Sequence, residues 1–534
     1  MQNFRTFRLA ALFIALSYLS TSAQEVDLHG WHHKDPSEGI YGVGTEKAYE
    51  LLKDRKPTKV VVAILDSGVD TDHEDLKDNI WVNEDEIPGN GIDDDRNGYV
   101  DDINGWNFLG NAEGVNLDAA NLELTRLYRK LAPKFSQIKS KKEVAKEDVE
   151  DYLLFKELEE KILTELNQTG PEYAQIDAFL KVYNKADSVA RSALGANYTA
   201  SDVLAWKTKS DDEALYQNIL SGLAQDPNFS KSGLEEYYNY LRDKMEYHYN
   251  PKFVDRALLG DDYELVEERY YGNNDVSAPH NDHGTHVAGI VGAVRNNKLG
   301  MNGICANVEL MVVRTVPNGD EFDKDVANAI RYAVDNGAHI INMSFGKAYS
   351  PQVGAVYEAI KHAEAKGVLL VHGAGNDAAN IDKVENYPNP FYTEGSAKCT
   401  TWLTIGASAH SGDKKLVGVF SNYGKKNLDL FAPGVQIYSA KPDDTYEFAD
   451  GTSMAAPVVS GVAALIKSYF PEISGAELRE LLLESSNKYP KLKVLMPDPN
   501  YKQTKSAKFG NLSVSAGIVN AYNAAQLALN KYGR

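Results

Sequence analysis

The chain has 534 residues, and its 76 acidic residues outnumber its 56 basic ones, which gives a net charge of −20. With 43% hydrophobic residues, 25% charged residues and only 2 cysteines, the composition is that of a folded globular protein. It excludes collagen-like, low-complexity and disulfide-knotted chains. The acidity and the lack of a basic stripe exclude a nucleic-acid partner, because a polyanion would be repelled.

The N-terminus carries the pattern of a secretory signal. Arg5 and Arg8 precede an apolar run over residues 9–18, and the small residues 21–23 offer a cleavage site. The run is short for a bilayer span, and no later stretch approaches the roughly 20 apolar residues of a transmembrane helix. We therefore predict that residues 1–23 are a signal peptide of an exported protein, periplasmic or extracellular, without a transmembrane segment. A buried N-terminal helix is the alternative.

Short β-rich runs and helical patterns alternate along most of the chain from residue 59 onwards. The apolar runs cover residues 60–65, 308–313, 338–343, 368–372 and 403–407, and the clearest helical patterns cover residues 323–335 and 352–366. Near-continuous apolar strands are typical of a sheet that is covered on both faces. We therefore predict an α/β fold with a doubly wound, mainly parallel sheet in three layers, with helices on both sides of the strands.

Residues 115–250 break this rhythm. They are rich in Leu, Glu, Lys, Ala and Tyr and show helical spacing with almost no strand pattern. One apolar stripe consists of Leu153, Leu158, Ile162 and Leu166. We predict an all-α subdomain over residues 111–269, inserted into an α/β domain of residues 24–110 and 270–534. The simplest interpretation is a helical outgrowth with its own small core, and a lid or self-inhibitory role is the alternative.

Two motifs place an acid and a base at the ends of predicted elements. Asp66 directly follows the strand over residues 60–65, where a carboxylate is costly unless something fixes it. In Asp282-His283-Gly284-Thr285-His286, small residues and a helical pattern follow His283, so that its imidazole would lie at a helix start. A zinc site is not expected, because the HExxH pattern is absent and the nearest candidate, at His73, lacks the second histidine.

A third motif, Gly451-Thr452-Ser453-Met454-Ala455-Ala456-Pro457, leads into another helical pattern. A serine at a helix start is commonly only an N-cap. Here Pro457 in the first turn and the small residues around Ser453 indicate a crowded, fixed backbone. Such a serine would be exposed to a ligand, with helix N–H groups directed at developing negative charge.

The order of these residues along the chain selects one class of protein. A nucleophilic serine needs a histidine base, and the histidine needs a carboxylate to fix its tautomer. All 12 histidines precede Ser453, which excludes the order Ser…Asp…His of α/β-hydrolases. The order Asp66…His283…Ser453, together with the three motifs, resembles the subtilisin-like serine peptidases, the subtilase family. The resemblance covers residues 36–110 and 270–534.

The resemblance implies a catalytic role for four side chains. Ser453 would attack the scissile carbonyl, His283 would take its proton and later protonate the leaving amine, and Asp66 would orient His283. Asn376, at the end of the strand over residues 368–372, matches the asparagine of the family's oxyanion hole. Its side-chain amide would work with the Ser453 backbone N–H.

The resemblance also implies polypeptide substrates. Ser344, Phe345 and Gly346 match the family's substrate-binding edge, which pairs backbone to backbone with an extended peptide. Ala374 and Gly375 match the facing wall of the first specificity pocket. Main-chain pairing of this kind implies broad peptide recognition, with side-chain preference set by the shape of the pocket.

The chain departs from the family pattern in one spacing. His283 follows Asp66 by 217 residues (283 − 66), where family members have a few tens. The predicted helical insertion accounts for the excess.

An acidic segment predicts a calcium loop. Between residues 90 and 102, Asp93, Asp95, Asn97 and Asp101 stand at positions 1, 3, 5 and 9 of a loop that resembles an EF-hand loop. Position 12 is Asn104 instead of the bidentate glutamate, so an EF-hand proper is not expected. The resemblance to subtilases implies a structural Ca²⁺ ion that stiffens a loop near the active face. A turn-rich acidic loop without metal is the alternative.

These observations together predict a secreted serine endopeptidase that works through an acyl-enzyme. One alternative is a peptide transferase or macrocyclase, in which an amine intercepts the acyl-enzyme, and another is an inactive binding protein on the same scaffold. Cys305 and Cys399 have neither redox nor metal-ligand spacing. They are predicted to be two buried thiols, a disulfide being the alternative.

Overall fold

The computed structural model describes residues 27–226, 229–392 and 397–533. The predicted signal peptide, residues 1–23, lies outside the described residues. None of the described helices is both long enough and apolar enough to cross a membrane. Cys305 and Cys399 are buried free thiols, as predicted.

The strands are short, and most of them lie in one sheet. They are β1 (Val60–Asp66), β2 (Gly105–Asn107), β3 (Val308–Arg314), β4 (Ile340–Met343), β5 (Leu369–Gly373), β6 (Trp402–Ser408), β7 (Leu430–Pro433), β8 (Ile437–Lys441), β9 (Thr445–Ala449), β10 (Asn487–Lys488), β11 (Lys493–Leu495), β12 (Ser506–Lys508) and β13 (Gly517–Ile518).

In the part of the chain that the structure describes, nine strands form one sheet in the order β10-β13-β7-β6-β5-β4-β1-β3-β2. All neighbours in it are parallel except β10 and β13. From β1 the chain reaches β3 on one side and β4 on the other, so the strand order reverses at β1. In open parallel sheets, the crevice outside the carboxyl ends of the strands at such a reversal is where ligands bind.

The helices are distributed over the two faces of the sheet and a separate helical region. They are α1 (Thr45–Leu52), α2 (Glu123–Phe135), α3 (Val149–Leu194), α4 (Ala200–Ala205), α5 (Asp211–Ala224), α6 (Lys231–Asp243), α7 (Asp282–Gly292), α8 (Asp323–Asp335), α9 (Val353–Ala365), α10 (Thr452–Tyr469), α11 (Gly475–Ser485) and α12 (Ala521–Tyr532). A π-helix, Lys244–His248, follows α6.

Alternate residues of β1 show how the layers form. Val62 and Ile64 pack into a core with residues of α1, α7, α10, α11 and α12, on one face of the sheet. Ala63 and Leu65 pack on the other face with residues of α8 and α9. Because side chains alternate along a strand, a strand buried on both faces must be apolar throughout. The predicted three-layer α/β fold is confirmed.

Helices α2 to α6 all come between β2 and α7, and α3 to α6 build a small core of their own from residues such as Tyr183, Ala186 and Trp206. The apolar stripe predicted on α3 is right for Leu158 and Ile162, which are buried, and wrong for Leu153, which is 48% exposed. Tyr152 and Phe155 are buried instead, because they pack with Phe135 of α2 and so set the rotation of α3. The subdomain limits at residues 111 and 269 stay a prediction.

The chain on either side of these helices packs against the α/β layers. Leu109, Leu117, Ala120 and Leu259 form one apolar cluster with Phe322, which directly precedes α8. The helical region is therefore attached to the α/β domain through a shared core as well as through its two connections.

Candidate active site

Asp66 and His283 meet at the carboxyl edge of the sheet. Asp66 is the last residue of β1 and is 1% exposed, and His283 is the second residue of α7. His283 Nδ1 lies 2.7 Å from Asp66 Oδ1, which also accepts a hydrogen bond of 2.8 Å from the Ser67 N–H. When Nδ1 donates its proton to the carboxylate, His283 Nε2 is left as the basic nitrogen.

The environment of His283 acts on its pKa in two directions. Burial lowers the pKa of His283, whereas the charge of Asp66 and its hydrogen bond raise it, and the net pKa is raised above the ordinary value. Asp66 therefore stabilises the imidazolium form, which is the form that a general base adopts after taking a proton.

A glycine allows this approach of helix to strand. A Cβ atom on Gly284 would lie 2.0 Å from the Gly68 carbonyl oxygen and 3.1 Å from Asp66 Cβ. Any side chain at this position would push α7, and His283 with it, away from β1. The small residue after His283 in the sequence is thus required by the contact between the base and its carboxylate.

Ser453 lies in the first turn of α10, which packs against β1, β4 and β5. Its hydroxyl donates to the Ser344 carbonyl oxygen at 3.1 Å, and the Ser344 hydroxyl donates to the Ser453 carbonyl oxygen at 2.9 Å. Among the described residues, the Ser453 hydroxyl thus donates its hydrogen bond to Ser344 and not to His283. In free enzymes, catalytic hydrogen bonds often tighten only when substrate is bound.

Asn376 follows β5 and is tied to the start of α10. Its Oδ1 atom accepts hydrogen bonds from the Thr452 N–H at 2.9 Å and from the Thr452 hydroxyl at 3.1 Å. With Oδ1 occupied in this way, the side-chain NH₂ group is left to donate elsewhere. The residue next to Thr452 is Ser453, so this amide and the N-terminal N–H groups of α10 lie close to one another.

The predicted substrate-binding residues follow two neighbouring strands. Met343 and His372 are paired in the β4–β5 register, so Ser344–Gly346 and Ala374–Gly375 leave the sheet side by side. The Phe345 carbonyl oxygen accepts a hydrogen bond of 2.7 Å from His372 Nε2. Gly346 is exposed, and among the described residues its N–H and carbonyl groups have no hydrogen-bond partner.

The facing segment is held more tightly. Ala374 is fully buried, and its carbonyl oxygen accepts hydrogen bonds from the side-chain amides of Asn386 at 3.2 Å and Asn422 at 2.8 Å. Gly375 has a φ of +96°, a left-handed conformation that favours glycine, and its N–H donates to the Thr452 hydroxyl at 3.0 Å. This segment therefore has one fixed conformation next to Asn376.

The acidic segment forms a compact loop, but its carboxylates divide into two groups. Within the described ranges, one group of three acidic side chains has oxygen atoms within 4.8 Å of one another: Glu86, Asp95 and Asp102. Of the four predicted calcium ligands, only Asp95 belongs to it. Glu86 precedes the segment that the sequence pattern singled out, and Asp102 stands in that segment outside the spacing of a calcium loop, so neither was among the candidate ligands expected from the sequence.

The other predicted ligands stabilise the loop itself. Asp93 accepts hydrogen bonds from the N–H groups of Asn97 and Gly98 at 3.0 and 2.9 Å. Asp101 accepts from the N–H groups of Asn90 and Gly91 at 3.1 and 2.8 Å. The spacing of these two residues resembles that of a calcium loop because both kinds of loop consist of tight turns. In such turns, side-chain oxygens also serve as acceptors for backbone N–H groups.

The Asn97 side chain lies between the two groups. Its Nδ2 atom donates to Asp95 and to Asp102, each at 3.0 Å, and its Oδ1 atom accepts from the Tyr99 N–H at 2.8 Å. Burial raises the pKa of Asp102 to about 6, so the carboxyl group lacks enough compensating positive charge. A set of three carboxylate oxygens at this separation fits a hard cation such as Ca²⁺.

The Subtilase family matches residues 58–512 of the chain, a range that includes the whole of the site described above, and the chain belongs to this family. Subtilisin Savinase of Lederbergia lenta is 36% identical over 204 residues, which are 38% of this chain and 69% of the relative. An alkaline protease of Alkalihalobacillus alcalophilus is also 36% identical over 204 residues, which are 38% of this chain and 49% of the relative. The chain thus spans about half the length of that relative.

Two solved structures are similar to part of this chain. A cold adapted subtilisin-like serine proteinase is 28% identical, with a TM-score of 0.34 over 45% of this chain and 72% of that chain. A chain described as proteases from Pseudoalteromonas arctica is 29% identical, with a TM-score of 0.37 over 46% of this chain and 70% of that chain.

Proposed function

We propose that this protein is an exported serine endopeptidase that hydrolyses peptide bonds through an acyl-enzyme on Ser453. The observation that carries the proposal is the bond of 2.7 Å between His283 and Asp66, in a chain whose Ser453 begins a helix beside Asn376. Membership of the subtilase family and the alkaline proteases among the relatives support it.

The first half of the reaction forms the acyl-enzyme. Ser453 Oγ attacks the carbonyl carbon of the scissile bond, and its proton passes to His283 Nε2. Asp66, bonded to Nδ1, keeps the imidazole in the tautomer that has a free Nε2 and stabilises the imidazolium that results. His283 then gives the proton to the amine nitrogen, the C–N bond breaks and the amine leaves.

Negative charge develops on the carbonyl oxygen during this attack. The Asn376 amide and the Ser453 N–H at the start of α10 are the donors that would bind it, and neither has to move, because Thr452 fixes the Asn376 side chain. Removal of the corresponding asparagine in subtilisin costs about 2.7–4 kcal/mol of transition-state stabilisation. Water then repeats the attack on the acyl-enzyme with His283 as base, and Ser453 is regenerated.

The substrate is a polypeptide in extended conformation. The free N–H and carbonyl groups of Gly346 provide one donor and one acceptor for an added strand, and Ala374 and Gly375 form the opposite wall. Backbone pairing of this kind recognises peptides without regard to most of their side chains.

A structural Ca²⁺ ion is part of the proposal. Glu86, Asp95 and Asp102 would hold it, since their oxygen atoms are close to one another and lack a basic partner within the described residues. The ion would neutralise these carboxylates and stiffen the loop that leads into β2, and it takes no part in the chemical steps.

Export is proposed from the pattern of residues 1–23, a basic start followed by a short apolar run and small residues. The relatives support it only through their family. The measurement is the N-terminal sequence of the mature protein in the culture fluid or the periplasm, which is expected to begin near Gln24.

The experiment for the enzymatic proposal combines a fluorophosphonate probe with casein digestion. Wild type is expected to be labelled on Ser453 and to cleave casein, and Ser453→Ala is expected to do neither, with kcat lowered by about 10⁶-fold as for the subtilisin serine. Asn376→Ala is the matched variant: it should retain labelling and lose about 10²–10³ in kcat. Absence of labelling in wild type would contradict the proposal, and labelling without casein cleavage would favour a peptide transferase.

A further inference from the structure

Lys347 directly follows the substrate-binding residues, and its charge is buried. The side chain is 2% exposed, and Nζ lies 2.9 Å from Glu123 Oε2, 2.8 Å from Asp323 Oδ1 and 2.7 Å from the Glu321 carbonyl oxygen. No step of the proposed reaction uses this cation. Taking an ammonium group out of water is costly even when three oxygen atoms surround it, so we ask which parts of the chain this group holds in place.

One of these partners comes from the helical insertion. Glu123 is the first residue of α2 and is 3% exposed, and its N–H donates to Asp320 at 2.7 Å. The same Glu123 oxygen that faces Lys347 also accepts from the Arg126 guanidinium at 2.5 Å. Arg126 donates in turn to the carbonyl oxygens of Asp320 and Glu321 at 2.9 and 3.0 Å.

The charges in this contact show that Glu123 and Lys347 are an ion pair. Burial alone would raise the pKa of Glu123, but Lys347 and Arg126 lower it to about 2. Burial alone would lower the pKa of Lys347, but Glu123 and Asp323 raise it. Removing either partner would upset the balance of buried charge, because Arg126 would remain beside Glu123 and Asp323 beside Lys347, and the surrounding chain would have to adjust.

The segment that would have to move first is the substrate-binding edge. We call residues 344–347 the edge segment. At one end, Ser344 is bonded to Ser453; at the other end, the N–H and carbonyl groups of Lys347 pair with Tyr387, each at 2.9 Å. Between the two ends, the backbone of Gly346 is free to bind a peptide. The edge segment is thus fixed by the nucleophile's helix on one side and by the insertion on the other.

A second contact between the insertion and this region lies at the surface. Lys161 Nζ and the Glu157 carboxylate, both on α3, lie 2.7 and 3.0 Å from the Tyr349 hydroxyl. Lys161 is 49% exposed and Glu157 is 54% exposed. This solvated contact involves the same insertion and the same loop, and it provides a matched control for the buried one.

We propose that Lys347 is a positioning residue for the edge segment, and that Glu123 of the insertion, by fixing the Lys347 ammonium, sets where an extended peptide pairs with Gly346. This inference rests on the proposed peptidase function. The insertion is thereby a constituent of the substrate site of this enzyme, and not a separable outgrowth.

The test compares a long substrate with a small probe in Glu123→Gln, which keeps the shape of the side chain and removes its charge. The long substrate is a fluorogenic octapeptide, which needs the edge segment, and the small probe is a fluorophosphonate, which needs only Ser453 and His283. We expect KM for the octapeptide to rise about tenfold with kcat within about twofold, and the rate of fluorophosphonate labelling to stay within about twofold of wild type.

The matched controls separate positioning from folding. Glu157→Gln, at the exposed contact, should leave both substrates unaffected. Lys347→Arg keeps the charge but changes its geometry and should raise KM in the same direction as Glu123→Gln. In the double variant Glu123→Gln/Lys347→Met, the loss should be smaller than the product of the two single losses, because both substitutions remove the same ion pair.

Three results would overturn the inference. Unchanged KM in a fully labelled Glu123→Gln protein would show that the contact does not position the edge segment. An equal fall of labelling and peptide cleavage would show a purely structural role. A rise in peptide cleavage would show that the insertion inhibits the site. Failure of wild type to label would instead contradict the peptidase function itself, a result distinct from the other three.

Discussion

The acidic loop and the contact between the insertion and the edge segment both bury carboxylates, yet they balance the charge differently. In the loop, Glu86, Asp95 and Asp102 have no Lys, Arg or His as an ion-pair partner within the described ranges, and they accept hydrogen bonds from amides and N–H groups. In the contact, Glu123 and Asp323 face Lys347 directly.

The two arrangements act on the carboxyl groups in opposite directions. Burial raises the pKa of Asp102 to about 6, whereas Lys347 and Arg126 outweigh burial and lower the pKa of Glu123 to about 2. Amide donors satisfy hydrogen-bonding capacity but do not supply a full positive charge. Glu123 is paired with a lysine and an arginine of the protein, and it therefore holds two segments of the chain together. Glu86, Asp95 and Asp102 have no such partner within the described residues, and their arrangement fits a cation from solution.

The largest expected effect on stability follows from removing the Lys347 ammonium group. Lys347→Met should lower the free energy of unfolding by about 3–5 kcal/mol, because it leaves Glu123 and Asp323 without their shared partner. Urea unfolding in a Ser453→Ala background, which prevents self-digestion, measures this value. Lys161→Met, in the exposed pair, should cost less than about 1 kcal/mol. Equal losses in the two variants would contradict the distinction between buried and solvated contacts.

Addition of calcium tests the proposed cation site of the acidic loop. At about 100 times its dissociation constant, Ca²⁺ is expected to stabilise the native protein by about 2.7 kcal/mol, measured as a shift in thermal unfolding against the chelated protein. Asp95→Asn and Asp102→Asn should lose this response, and Glu123→Gln should keep it. Retention of the full response in Asp95→Asn would rule out the proposed ligand set.

Glu321, whose carbonyl oxygen accepts a hydrogen bond from Lys347, allows a test of how pH acts on the contact between the insertion and the edge segment. Burial, with Asp320 and Asp323 nearby, raises the pKa of Glu321 to about 8 although Lys347 lowers it. A glutamate of the unfolded chain ionises near pH 4.3, so between these pH values the native state binds one proton more, and stability falls as pH rises. Relative to wild type, Glu321→Gln should therefore gain on the order of 3–4 kcal/mol between pH 5 and pH 8. The same difference at both pH values would contradict the assignment.

The smallest expected effect concerns Asp93, a predicted ligand that lies outside the group of Glu86, Asp95 and Asp102. Asp93→Asn keeps one acceptor for the N–H groups of Asn97 and Gly98 and loses the other, at a cost of about 1 kcal/mol. Its stabilisation by Ca²⁺ should equal that of wild type in the same comparison of thermal unfolding with and without a chelator. If Asp93→Asn abolishes the response to calcium, the ligand set expected from the sequence spacing is the better one.

Much of the fold could be predicted from the sequence, because buried parallel strands need long apolar runs. The runs at residues 60–65, 308–313 and 403–407 all became strands of the central sheet. Strands such as Gly105–Asn107 and Gly517–Ile518 could not be predicted, since two or three residues carry no period. These short strands form because a neighbouring strand of the sheet presents backbone N–H and carbonyl groups with which they can pair.

The candidate site was predictable where its chemistry is local. Asp66 at a strand end, His283 before a small residue and Ser453 at a helix start each follow from their immediate neighbours, and the Gly284 contact explains one of those neighbours physically. The orientation of the Asn376 amide was not predictable, because it depends on Thr452, 76 residues further along the chain.

The sequence by itself determined the α/β class, the order of Asp66, His283 and Ser453, and the presence of helices between the first two. These features follow from the periodicity of the hydrophobic residues and from short motifs, both of which depend on only a few neighbouring residues. The tertiary structure alone decided which carboxylates share a site and which are paired. Glu86 reaches Asp102 across a loop, and Glu123 reaches Lys347 across 224 residues, distances at which only folding brings charges together. The net charge of −20 therefore does not distinguish carboxylates that are paired with a lysine, such as Glu123, from carboxylates with no basic partner among the described residues, such as Glu86.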